Sequence, residues 1–131
     1  MADIEISSAH NNYRLLGSLA HLDLGAGNAS LKLYGGVQPA PGVAATSPLA
    51  TVGLTKPAGS IVSNALALTA ASAFVLASGS GAVTWGRLEN GNGDWNSDLA
   101  AGATGSGKPV QLDDVLLFAG GKVAPTTMLV G

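Results

Sequence analysis

The chain has 131 residues, no cysteine, a formal net charge of -2, and only 11% charged against 47% hydrophobic residues. That length holds one domain, residues 1–131, and the missing cysteines exclude a disulfide scaffold. So low a charge argues against disorder, and six scattered Lys and Arg residues make no basic patch, so no nucleic-acid partner is expected.

Residues 1–7 form an N-terminal arm in which Ile4 and Ile6 alternate with Asp3 and Glu5. It lacks the basic start and apolar block of a signal peptide, so no secretory leader is expected. Residues 8–22 read as one short helix. Tyr13, Leu16, Leu19 and Ala20 recur at helical spacing, Ser7 or Ser8 supplies a cap, and Gly25 and Gly27 end it. His10 and His21 on this helix lie roughly 16 Å apart along its axis, too far to share a metal.

After Gly27 short apolar runs alternate with Gly, Pro, Asn and Ser clusters, the punctuation of an all-β domain. Strands are expected at Ala29 to Tyr34, Leu49 to Leu54 (stopped by Lys56-Pro57), Ser60 to Leu68, Ala73 to Ala77, Ala82 to Glu89, Asp94 to Leu99, Val115 to Phe118 and Val123 to Val130. Gln38 to Ser47 and Ala100 to Pro109 read as loops. Asn90-Gly91 favours a type I′ hairpin turn. No helical crossovers separate the strands, so the expected fold is an antiparallel β-sandwich or jelly roll of about eight strands, over residues 29–130, with one N-terminal helix. The stretch Ala65 to Ala77 is too short for a membrane-spanning helix, which needs about 20 residues, and no membrane partner is expected. Ala, Gly and Ser fill many strand positions, and the large anchors are Trp85, Trp95, Tyr13, Tyr34, Phe74 and Phe118. A core this light favours homo-oligomerisation or docking on a larger surface.

The motifs that suggest chemistry are incomplete. Gly102 to Lys108 matches the opening of a phosphate-binding P-loop, but Pro109 stands where Ser or Thr should hold magnesium. Asp94, Asn96 and Asp98 alternate as in a calcium loop, yet Leu99 and Gly105 occupy the places of its Gly and Glu. In a strand these three side chains line one solvent-facing edge. Asp113-Asp114 reads as a solvated turn, since neighbours on a strand point to opposite faces and cannot act together. Trp85 and Arg87 share a strand face and suit a cation–π contact or a sugar platform, with a core anchor the plainer role. Trp95, beside the hairpin turn, is the exposed aromatic of choice for a contact. No catalytic residues, metal or cofactor are expected.

The order of features resembles a group of small virion proteins of tailed bacteriophages. The resemblance rests on Leu31-Lys32-Leu33-Tyr34-Gly35-Gly36-Val37-Gln38-Pro39, then Leu49-Ala50-Thr51, then Thr84-Trp85-Gly86-Arg87-Leu88, closed by a Gly/Asn turn and a last strand pair. It covers nearly the whole chain. The resemblance implies a capsid cement or decoration protein on the outside of a phage head, bridging subunits of the major capsid protein, and no enzyme. Ile4, Ile6, Trp95 and Leu99 are the expected interface residues. A tail, connector or fibre-base protein is the alternative role, and a carbohydrate-binding sandwich a third.

Overall fold

The computed structural model describes residues 5–43 and 45–131. Helix α1 covers Ser8–Leu22, the range its periodicity predicts. Ser7 caps it, its Oγ accepting the His10 amide at 3.1 Å. Leu15 and Leu22 face inward and are buried.

Among the described residues eleven strands follow: β1 Ser30–Tyr34, β2 Ala50–Val62, β3 Ala65–Ala70, β4 Val75–Leu76, β5 Gly81–Ala82, β6 Trp85–Glu89, β7 Trp95–Ala103, β8 Val110–Leu112, β9 Leu116–Leu117, β10 Lys122–Val123 and β11 Pro125–Val130. Seven of them close into a barrel in the order β1-β2-β3-β11-β8-β7-β6, with β6 pairing back onto β1. The expected sandwich or jelly roll is therefore wrong. Alternation along each strand marks an inner face equally in both architectures. What differs is whether the outermost strands find each other, and here Leu31 pairs with Leu88 and Tyr34 with Trp85.

Nor is the sheet wholly antiparallel. Directions cannot alternate all the way around a ring of seven, so one pair must be parallel, and β7 with β8 is that pair. Parallel neighbours usually need a crossover of about a dozen residues or more. Here residues 104–109 suffice, because β8 is three residues long and begins level with Ala101. The double reversal uses Gly105 (φ +88°) and Gly107 (φ +78°), where side chains are disfavoured. The expected loop at Ala100 to Pro109 is thus strand as far as Ala103.

Strand β2 runs through Lys56-Pro57, which was expected to end it. Its ladder with β3 is interrupted between Leu54 and Gly59, so the proline's missing N–H costs no ladder bond. The Asp23 carboxylate, at the end of α1, accepts the Ala58 amide at 2.9 Å within that gap. The positive-φ hairpin turn also lies elsewhere than predicted. Ser63 (φ 49°) and Asn64 (φ 63°) form it between β2 and β3. At Asn90-Gly91 the chain instead reverses over residues 90–94, with Gly93 at φ +81°. The Asn90 Oδ1 accepts the Asn92 and Asp94 amides, each at 3.0 Å, and a bulge follows in the β6–β7 ladder.

The barrel is filled, not hollow. Leu31, Leu33, Val52, Leu54, Leu66, Leu88, Val110 and Leu112 are fully buried and form one core. Helix α1 closes the end where the β2–β3 and β6–β7 hairpins turn: Asn11 donates to the Asn64 carbonyl, and His21 bonds Asn96. A two-stranded arm closes the other end. β4 pairs with β10 and β5 with β9 in one shared register, Val75 opposite Val123 and Ala82 opposite Leu116. Val75, Ala77, Val83, Leu117 and Val123 pack from this arm into the core.

Candidate functional site

Six aromatic residues are present, two each of Trp, Tyr and Phe, and none joins the barrel core. Alternation along β1 and β6 turns Leu31, Leu33 and Leu88 inward, which sends Lys32, Tyr34, Trp85 and Arg87 to the outer wall. There they form a row with β7. Tyr34 and Trp85 stack with ring centroids 4.5 Å apart. The Arg87 guanidinium lies 5.3 Å from the Trp85 ring centroid. Arg87 and Asp98 are cross-strand partners joined by two bonds, Nε to Oδ1 at 2.7 Å and Nη2 to Oδ2 at 3.1 Å. Trp95 Nε1 donates to the same Asp98 Oδ1 at 3.1 Å. A second ion pair, Lys32 Nζ to Glu89 Oε1 at 2.9 Å, flanks the row.

The row is roofed. The segment from Gly35 onward folds back along the outer wall, accepting a bond from Trp85 Nε1 at the Gly35 carbonyl, 3.3 Å away. Gly42 lies against the Trp95 ring, where a β-carbon would sit 3.4 Å from it. Hence Trp85 is 3% exposed and Arg87 6%. The Asp98 side chain, expected on a solvent-facing edge with Asp94 and Asn96, is instead buried, with its carboxylate committed to Arg87 and Trp95. Asn96 bonds His21, so the trio gathers no calcium ligands. Under the roof a cavity of about 200 Å³ is lined by Gly35, Val37, Pro39, Ala45, Thr46 and Trp85. Trp85 is the one aromatic residue in its lining, and no acid–base pair stands there.

The surroundings set the protonation states of the row. The Arg87 pKa is raised, chiefly by its hydrogen bond to Asp98. The Lys32 pKa is raised above 10.5, first by its bond to Glu89. Burial raises the Tyr34 phenol above 10.0. Each of these shifts favours the form the group already has at neutral pH.

Of the expected interface residues, Ile4 lies outside the described residues. Ile6 is half-buried just before α1. Leu99 pairs with Gly86 and is half-buried against the core. Trp95 is 43% exposed. Sequence reasoning missed the larger exposed residues. Tyr13, Phe74 and Phe118, expected as anchors, stand on the surface, and Val37, Val43, Leu76 and Leu116 join them. The signal available was the arm's alternation: Phe74, Leu76, Leu116 and Phe118 all occupy even positions, opposite in parity to the buried Ala77, Leu117 and Val123.

The P-loop-like segment forms the β7–β8 crossover. Gly105 donates its amide to Gln111 Oε1 at 3.0 Å, and no helix follows to receive a phosphate. Asp113 and Asp114 are exposed turn residues whose Oδ1 atoms accept nearby amides. Among the described residues no group of three or more His, Cys, Asp and Glu could hold a metal ion. No described helix is long and apolar enough to cross a membrane. No family model, curated protein or solved structure matches the chain.

Proposed function

We propose that this chain is a structural virion protein that decorates the outside of a phage head and ties neighbouring capsid subunits together. One observation supports this most. Four of the six aromatics, Tyr13, Phe74, Trp95 and Phe118, are spent on the surface of a chain with only 11% charged residues. Exposed aromatic and aliphatic side chains are typical of contact surfaces, and large ones carry most of the binding energy where they dock. A filled barrel plugged at both ends suits a rigid spacer better than a vessel for substrate. Trp95, against which Gly42 lies, and the exposed Val43 that follows Gly42 are the wall residues this proposal gives to the capsid contact. Many copies multiply a modest contact into strong reinforcement. Trp85, roofed and 3% exposed, offers no open sugar platform.

Shells lacking the protein test this. Purified chain added back should bind to saturation at a fixed ratio to the major capsid protein and raise the temperature at which the shells release DNA. Trp95→Ala should weaken binding about tenfold or more while the free protein melts nearly as before. Saturable binding to isolated tails, with none to heads, would move the proposal to the tail or connector role.

A further inference from the structure

We propose that copies of this chain associate head to tail, with the outer face of α1 on one copy seated on the outer face of the β4–β10 and β5–β9 arm of the next. The two faces lie at opposite ends of the barrel, and each breaks the rule for a surface element. The outward side of a surface helix is normally charged or polar. Here Ala9, Tyr13, Leu16, Gly17 and Ala20 share that side, all exposed and none charged, with exposed His10 at its edge beside Gly17, while Leu15 and Leu22 face the core. The arm's outward side carries Phe74, Leu76, Leu116 and Phe118.

The two faces are complementary in shape and charge. On α1, Gly17 leaves a notch beside Tyr13: nothing lies within 4 Å of where its β-carbon would be. On the arm, Phe118 is a projecting knob, 65% exposed. A helix laid on a two-stranded sheet is an ordinary two-layer packing. Arg14 flanks the helix face, and exposed Asp113 and Asp114 stand at the root of the arm, none of the three in an ion pair among the described residues. Lys122 on the arm is turned onto the Phe74 ring, 4.5 Å from its centroid. Unlike faces at opposite ends make a heterologous contact, which builds rings or open rows and not closed two-fold dimers. The inference concerns the purified chain and does not depend on the virion proposal.

Sedimentation velocity over a concentration series tests it with two surface variants, Leu16→Lys on the helix face and Phe118→Lys on the arm face. Each variant keeps one intact face. The wild type should form species beyond a dimer as concentration rises. Each variant alone should stay monomeric, its association weakened about tenfold or more. Mixing the two should produce a one-to-one dimer, because the intact arm of one meets the intact helix of the other. Circular dichroism and thermal melting check that both variants are folded; Leu76→Ser replaces Phe118→Lys if that variant is not. A wild type that is monomeric, or stops at a dimer, overturns the proposal. So does either variant associating by itself, which would mean like faces pair.

Discussion

Asp98 receives hydrogen bonds from Arg87 and from Trp95 while almost fully screened from water. Removing one partner of such a pair strands a buried charge. Asp98→Ala should therefore cost about 3–5 kcal/mol of stability in urea denaturation, and Arg87→Met with Asp98→Leu should recover most of it. The same wall sets the response to alkali. Lys32 and Tyr34 both have raised pKa values, so the folded chain holds their protons more tightly than the unfolded chain does. Their contribution is intact below the ordinary values of 10.5 and 10.0 and is lost as pH rises through the folded-state values. The melting temperature should fall above that point, and Lys32→Met with Tyr34→Phe should flatten the decline. A wild-type curve that stays flat there contradicts the assignment. The Trp85–Arg87 contact was legible because residues two apart on a strand share a face. The burial of Asp98 was not, since it rests on the cross-strand pairing with Arg87 and on the Trp95 ring, which Gly42 meets from more than fifty positions earlier.

The bounds of helix α1 were legible because its apolar period and its Ser7 cap agree, but its buried face was not: Tyr13, Leu16 and Ala20 of the expected stripe are exposed, and Leu15 and Leu22 are the buried residues. The strands were legible mainly as apolar runs between breakers, and their ends shifted where pairing overrode a local signal. Asn90-Gly91 carries the better hairpin dipeptide, yet Ser63-Asn64 adopts the positive φ angles, because two residues must join the directly paired Val62 and Ala65. Asn64→Ala should cost about 1 kcal/mol by equilibrium unfolding, whereas Asn64→Gly should be nearly neutral. The P-loop resemblance was misleading for a similar reason: glycines that cradle phosphate elsewhere serve a double chain reversal here. Gly105→Ala and Gly107→Ala should each destabilise by about 1 kcal/mol or more, and titration with ATP should shift neither their melting curves nor that of the wild type.

At the scale of the whole molecule, closure of the sheet separates what the sequence implied from what the chain builds. A light core was foreseen, with Ala, Gly and Ser at many strand positions and the aromatics as its anchors. The barrel is narrow enough for Leu and Val to fill it, so the aromatics are left for the outer wall, the helix face and the arm. The low charge that argued for assembly thereby gains named surfaces: Trp95 and Val43 on the wall, Tyr13 and Leu16 at one end, Phe74 and Phe118 at the other. The direct measurement is the copy number of this chain in purified phage particles, by quantitative mass spectrometry against the major capsid protein. A decoration role predicts hundreds of copies in fixed ratio to the capsid subunit, on intact heads. Absence from particles would contradict it.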